Sequence, residues 1–400
     1  MRDPEMILAS LFTFFVALAA ALLFSSTLRR FKIPWAIALI FTGVIIGPYG
    51  LDWFELDDTV LFLSEIGVIF LMFLAGMETR ISAIRPVLRD ASIVATVSGI
   101  VPALVGVAIG LGFGYGWDTA LILAIIFMSS SFAVVIPTLE ARGLLQTRLS
   151  RVIVASTMLQ DIASLILFAV LLQFITPESW VPIPALISAG VMAAAGGYLL
   201  RHYFSHLQAW FQHLRQKESH EFELFEQELT LTVVILVGAA IVFEILRMET
   251  IVGAFFAGIL IAEITRSQIL EHKVHILGYG IFIPIFFVSV GAWVELSIFQ
   301  DELWLILPLT AAIVLGSALT KFISGWAAAK VLGYSGLQSS LIGVTSIPQL
   351  ITTLAVLLVA QNLELLPPEV VTAVVILSVV TVVASPLITN RLLQADDSRL

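Results

Sequence analysis

Hydrophobic positions in this chain come in long blocks, unlike the short alternation of a strand or the one-sided stripe of a surface helix. Blocks of the roughly 17–25 apolar residues that cross a bilayer as a helix lie near 6–27, 34–49, 58–77, 91–114, 118–141, 149–174, 181–200, 227–246, 250–264, 275–293, 302–330, 337–361 and 367–390. They predict an all-α polytopic membrane protein of thirteen spans, the ninth being the shortest. Polar residues inside the blocks are few, so their positions carry information. Span 5 holds a serine run and then a proline, SSSFAVVIP (Ser129 to Pro137), and span 12 holds TSIPQLITT (Thr345 to Thr353). Span 6 holds STMLQDIASL (Ser156 to Leu165), which puts Asp161 in the middle of an insertable segment. A charge at the bilayer centre costs about 2.5–3.5 kcal/mol even on the lenient insertion scale, so it asks for a reason.

The two interrupted spans are seven apart and therefore cross the membrane in opposite directions. Pairing span 1 with 8, 5 with 12 and 6 with 13 makes the chain one transporter domain of inverted six-helix repeats, 1–180 and 227–400, joined by a linker at 181–226. Where broken helices of such repeats meet at the midplane, unwound carbonyls and half-helix ends replace water around an ion. A Ser/Pro kink in a packed helix explains either break alone. Two breaks in corresponding positions favour transport.

Composition agrees: 59% of residues are hydrophobic and 12% charged, against about 25% charged in a soluble domain. The absence of cysteine excludes disulfides, Fe–S clusters and thiolate zinc sites. With the N-terminus outside, seventeen of the twenty lysines and arginines fall in cytoplasmic intervals. Only Arg2 and Arg247 lie outside, and Lys321 lies within a span. The positive-inside rule thus predicts an inner-membrane, multi-pass protein with N-terminus out and C-terminus in. The run ALAAAL (Ala17 to Leu22) is read as part of a retained first helix, because a basic interval follows at once.

Four polar residues of span 6, Thr157, Gln160, Asp161 and Ser164, follow i, i+3, i+4, i+7 spacing and share one helix face. Span 11 repeats that spacing in Ser317, Thr320, Lys321 and Ser324. Counting from the helix ends puts Asp161 at mid-membrane and Lys321 about five residues to its cytoplasmic side, roughly 7 Å by helical rise. Ser130 and Ser131 on span 5, Ser346 and Gln349 on span 12, and Ser378 and Thr381 on span 13 fall at similar depth. Hydroxyls, amide oxygens, carbonyls and one carboxylate are the hard ligands that Na⁺ or K⁺ needs. A carboxylate in low dielectric holds a proton or a metal cation, and competition for Asp161 couples the two. The plain alternative is a buried Asp161–Lys321 pair that only joins helices, although such pairs are poor stabilisers.

The chain resembles the monovalent cation:proton antiporter superfamily, in the branch holding bacterial Na⁺/H⁺ antiporters and glutathione-gated potassium-efflux systems. The matching stretches are IPWAIALIFTGVIIGPYGL (Ile33 to Leu51), SEIGVIFLMFLAGMET (Ser64 to Thr79), PTLEARGLL (Pro137 to Leu145) leading into STMLQDIASL, VGAFFAGILIAE (Val252 to Glu263) and IPIFFVSVGAWVEL (Ile283 to Leu296). They run in order over nearly the whole chain. The resemblance implies a homodimer, a scaffold of spans 1–3 and 8–10, and a core of spans 4–6 and 11–13 that moves by an elevator-like step. It also implies that Asp161 is the ion- and proton-binding carboxylate and Ser130 a hydroxyl of the crossed helices. Two departures stand out. The family's central pair is often Asp-Asp in electrogenic members or Asn-Asp in electroneutral ones; here it is Gln160-Asp161. Lys321 matches the lysine that electrogenic members pair with the first carboxylate, which is absent here. A single midplane acid points to 1:1 electroneutral exchange.

The expected activity is therefore exchange of Na⁺ or K⁺ for H⁺ by alternating access, with no enzyme chemistry, no cofactor and no nucleic-acid partner. The monovalent cation sits at Asp161; Gln160, Ser130, Ser131, Thr157, Ser346 and Gln349 assist, and Lys321 tunes the carboxylate's proton affinity or pairs with it. The rivals are an ion-coupled symporter of an organic anion, which would want more basic groups than Lys321, and a gated cation channel, to which a titrating acid between broken helices is poorly suited. Beyond the lipid bilayer and a second copy, the potassium branch suggests a separate or missing cytoplasmic regulatory domain. The remaining motifs are weaker. GLGFGYG (Gly110 to Gly116) imitates a dinucleotide loop but ends a membrane helix with no preceding strand. Gly43 and Gly47 form a small-residue packing face, and Glu65 lies near the outer end of span 3 as a mouth guard or as a snorkelling or dimer-buried acid. The segment Arg201 to Lys217 is amphipathic and interfacial. All six histidines lie in the loop that holds this segment or in the next cytoplasmic interval, as polar loop residues or as sensors of cytoplasmic pH. Acidic outer loops would concentrate cations.

Overall fold

The computed structural model describes residues 4–28, 34–78, 85–131, 139, 144, 147–175, 221–245, 249–265, 268–295 and 303–395. Among these no residue lies in a strand, and the apolar blocks are helices. In chain order they are α1 (Pro4–Leu28), α2 (Trp35–Ile46), α3 (Asp58–Glu78), α4 (Leu88–Gly112), α5 (Trp117–Met128), α6 (Arg148–Ile175), α7 (Glu221–Ile245), α8 (Thr250–Thr265), α9 (Gln268–Leu277), α10 (Ile283–Ala292), α11 (Leu303–Val331), α12 (Gly336–Thr345), α13 (Ile351–Asn362) and α14 (Pro368–Ala395). A π-helical turn, Gly278–Phe282, joins α9 to α10. Seven stretches of described helix are long and apolar enough to cross a membrane, and α2, α5, α8 and α13 are shorter apolar helices. Span 7, the amphipathic segment 201–217 and histidines 202, 206, 213 and 220 lie outside the described residues.

The chain forms two compact units, Met1–Glu65 with Ser82–Phe168 and Ile283–Leu400, and Ile66–Ile81 with Ala169–Phe282. Each uses glycine to bring two helix backbones into contact. In the first unit, a β-carbon on Gly43 of α2 would collide with the Val288 carbonyl of α10, and one on Gly291 of α10 with the Ile40 carbonyl of α2. Gly47 lies against Ala292 in the same seam, so GVIIG is the packing face read from the sequence. In the second unit, Gly76 of α3 meets the Phe255 carbonyl of α8 and Gly258 of α8 meets the Phe73 carbonyl of α3.

Two turns in the first unit share one stop signal. At the end of α4, Gly114 has φ 86°; its N–H donates to Leu111 O at 3.1 Å, and the Tyr115 N–H donates to Gly110 O at 3.0 Å. At the end of α11, Gly333 has φ 85°; its N–H donates to Lys330 O at 3.0 Å, and the Tyr334 N–H donates to Ala329 O at 3.1 Å. Both are Schellman caps, in which a left-handed glycine lets the last carbonyls find partners. GLGFGYG is thus a helix stop. Each tyrosine then reaches a carboxylate at the start of another helix. The Tyr115 hydroxyl donates to Glu369 Oε1 of α14 at 3.0 Å. The Tyr334 hydroxyl donates to Asp90 Oδ2 of α4 at 2.8 Å, and that oxygen also accepts from Arg148 of α6 at 2.9 Å. Beside Tyr334, an apolar cluster with Val94, Val152, Ala329, Leu341 and Leu393 joins α4, α6, α11, α12 and α14. Glu65 is exposed on α3 and accepts from Asn362 Nδ2 at 3.2 Å.

Candidate functional site

Both interrupted spans leave helical geometry inside the first unit. α5 stops at Met128, and Ser129 takes extended backbone, φ −65° and ψ 160°. Between α12 and α13 the chain unwinds at 346–350, because Pro348 has no N–H to give Val344 and its ring would strike that carbonyl. Val344 O instead accepts from Ser385 Oγ of α14 at 2.9 Å. The two breaks cross, and three consecutive serines each make one bond over the crossing. Ser129 Oγ pairs with Thr353 Oγ1 at 2.7 Å, Ser130 Oγ donates to Ser346 O at 2.6 Å, and the Ser131 N–H donates to Pro348 O at 2.7 Å.

Asp161 is buried against this crossing at 6% exposure. The Ser130 N–H donates to its Oδ1 over a long 3.5 Å, and the Thr352 side chain, in the first turn of α13, lies beside it. That turn has no side-chain cap at Leu350, so its free amides form a positive helix end near an anion. Lys321 is fully buried, at 0% exposure. Its ammonium donates to Gln160 Oε1 and to Met128 O, each at 2.6 Å. The Asp161–Lys321 salt bridge is not among the ion pairs of the described residues. The cation instead caps the negative end of half-helix α5 and holds the amide next to the acid.

The other expected residues divide in two. Thr157 donates its hydroxyl to its own helix at Ile153 O, 3.0 Å, and Ser346 Oγ likewise to Ile342 O, 2.8 Å. Ser378 and Thr381 are buried on α14, where Thr381 Oγ1 accepts from the Gln349 N–H at 3.2 Å. Gln349 Nε2 donates to Ser317 Oγ at 2.9 Å and, more weakly, to Phe127 O at 3.5 Å. Its Oε1 is buried without a partner, as are Ser131 Oγ and Gln160 Nε2. Buried polar atoms of this kind are normally satisfied, and two of the three are hard oxygens suited to a monovalent cation. Thr352, Thr353, Ser129 and the Met128 carbonyl were not foreseen. The first two stand in TSIPQLITT, but only the folded crossing distinguishes them from the other polar residues of that run.

The description "Sodium/hydrogen exchanger, transmembrane" matches residues 14–395 of the chain. This chain belongs to the sodium/hydrogen exchanger family. The family is one of transporters, so the ions are cargo and the activity is not enzymatic. The exchanger is 30% identical over 396 residues to the probable Na⁺/H⁺ antiporter 3 of Methanocaldococcus jannaschii, covering 96% of this chain and 97% of that one. It is 28% identical to the Na⁺/H⁺ antiporter of Enterococcus hirae, covering 94% and 97%. It is also 28% identical to the Na⁺/H⁺-K⁺ antiporter GerN of Bacillus cereus, covering 94% and 95%. Its fold is similar to that of the sodium proton antiporter MjNhaP1 of M. jannaschii at pH 8, with TM-score 0.69 and 17% identity over 98% of this chain and 97% of that one. Among the described residues no group of three or more His, Asp or Glu is gathered as a metal centre. One carboxylate with neutral oxygens fits a monovalent cation held briefly.

Proposed function

We propose that this exchanger moves Na⁺ or K⁺ against H⁺ by alternating access, the two cargoes competing for Asp161. The observation that carries the reading is a buried carboxylate at a helix crossing whose nearest buried cation is engaged elsewhere. With Lys321 held by Gln160 and Met128 O, the Asp161 charge needs either a proton or a transported cation to be neutralised in low dielectric. Unpartnered oxygens on Ser131 and Gln349, with Ser130 and Ser346 beside them, assist the cation. In this scheme Gln160 stays neutral and Lys321 stays charged, so one cation replaces one proton and exchange is electroneutral.

The architecture in this proposal is thirteen spans, N-terminus out and C-terminus in, in the inner membrane and as a homodimer. The inverted repeats are 1–180 and 227–400, joined by the linker 181–226. Matched contacts support the repeats. The reciprocal-glycine seam of spans 2 and 10 has its counterpart in that of spans 9 and 3. The tyrosine after span 4 that reaches span 13 has its counterpart in the tyrosine after span 11 that reaches the Asp90–Arg148 pair at the starts of spans 4 and 6.

Dissipation of a proton gradient in proteoliposomes by Na⁺, K⁺ and Li⁺ tests the reading. Exchange is expected with the native chain and is lost in Asp161→Asn, while an imposed membrane potential leaves the native rate unchanged. Undiminished exchange in Asp161→Asn would end the mechanism, and a rate that follows the potential would end the 1:1 stoichiometry.

A further inference from the structure

Between the two broken spans lies a pair of buried hydroxyls to which neither the sequence nor the ion chemistry assigned a role. Ser129 is 1% exposed and Thr353 is 0% exposed, and their oxygens are 2.7 Å apart. Ser129 Oγ also donates to Ile126 O at 3.0 Å. Its single proton is thereby used, so Thr353 is the donor across the crossing. Ser129 is the residue that ends α5, its N–H donating to Ile125 O at 3.3 Å. Thr353 lies in the first turn of α13. One hydroxyl bond therefore ties the C-cap of one half-helix to the first turn of the other.

The neighbours of this pair give it a function. The residue after Ser129 is Ser130, whose N–H faces Asp161 Oδ1 at 3.5 Å. The residue before Thr353 is Thr352, whose side chain lies beside the same carboxylate. Among the described residues, the neutral groups named beside Asp161 are thus each one residue from the tie, on opposite sides of the crossing. Resting on the reading of Asp161 as the transport carboxylate, we propose that Ser129 and Thr353 are positioning residues for cation binding, their hydroxyl pair acting as the strut that sets where Ser130 and Thr352 stand around the bound ion. Other bonds over the crossing, Ser130 Oγ to Ser346 O and Ser131 N–H to Pro348 O, hold the unwound chains together and end on carbonyls of 346–348. Among the described residues the Ser129–Thr353 bond is the one over the crossing that reaches α13 itself, and a half-helix turns as a body.

A strut differs from a ligand and from packing in what its loss changes. Thr353→Val keeps the branched shape and removes the donor; Thr353→Ser keeps the donor and removes a methyl group. Exchange of Na⁺ for H⁺ by the full chain in proteoliposomes is measured over a Na⁺ titration. Thr353→Val is expected to raise KM for Na⁺ by about fivefold, the scale of one buried hydrogen bond, with the rate at saturating Na⁺ within about twofold of native. Thr353→Ser is expected to restore KM. Ser129→Ala removes the same bond from the other side, so it gives the same rise and tests the idea if Thr353→Val does not fold. The double variant Ser129→Ala, Thr353→Val rises no further than either single one. An unchanged KM in Thr353→Val and Ser129→Ala overturns the proposal, as does a rate lost at unchanged KM or a Thr353→Ser variant no better than Thr353→Val. Asp161→Asn run alongside separates the two questions: exchange surviving there defeats the transport reading, whereas exchange lost there with KM unmoved by the strut variants defeats the strut alone.

Discussion

A fully buried lysine is tolerable only where its ammonium is hydrogen-bonded, and Lys321 meets that condition with one amide oxygen and one helix-end carbonyl. Replacing it by methionine keeps much of the volume and strands both acceptors. A loss of about 1–3 kcal/mol for each stranded acceptor is expected. Thermal unfolding of Lys321→Met in detergent against the native chain checks this, and an unchanged melting temperature would mean that water replaces the ammonium. The sequence put Gln160 and Asp161 on one stripe and Lys321 on a facing one, within the reach of a lysine stem. Which neighbour the lysine takes was not legible, because adjacent positions on a helix are about 100° apart and the rotation of α6 against α11 decides between them. Thr352 was hidden for a related reason, since it gains its meaning only from being the first-turn residue after an unwound Pro348 segment.

Helices in this protein end and approach one another through glycine, and two glycines separate the reasons. Gly43 has ordinary helical backbone, but a β-carbon there would collide with the Val288 carbonyl, whereas Gly333 faces open space and has φ 85°. Gly43→Ala is therefore expected to force α2 from α10 and to cost about 1–3 kcal/mol by overpacking. Gly333→Ala costs about 1–2 kcal/mol from left-handed backbone alone. Melting of the detergent-solubilised variants distinguishes them by rescue: Gly333→Asn recovers much of the loss, since asparagine tolerates that backbone, and Gly43→Asn recovers none. Spacing in the sequence marked Gly43 and Gly47 as a face. It also gave warning that GLGFGYG ends a helix, although a dinucleotide loop reads the same until the residues before it are known to be helical.

In the first unit, helices far apart in sequence are tied by tyrosine–carboxylate bonds in two loops, Tyr115 to Glu369 and Tyr334 to Asp90 with Arg148. Burial, followed by the hydrogen bond to Asp90 and that residue's charge, pushes the Tyr334 phenol up to about 12. An unfolded tyrosine titrates near 10, so the folded chain keeps this proton longer. Its contribution to stability is full below about pH 10 and is lost as pH rises through about 12. Melting of the native chain and of Tyr334→Phe is expected to differ most below pH 10 and to converge toward pH 12, and a constant difference would dissociate the hydroxyl from that titration. What the sequence by itself determined is the class of molecule: membrane helices at the apolar blocks, breaks in spans 5 and 12, and an acid with a lysine within side-chain reach of it in depth. Each of these is a one-dimensional consequence of bilayer solvation, proline chemistry or helical period. The tertiary structure alone decided who meets whom, that Lys321 takes Gln160 and Met128 O and that Ser129 ties to Thr353. Those contacts join spans whose relative rotation and depth are set by packing across the whole unit, and no local pattern in the chain carries that information.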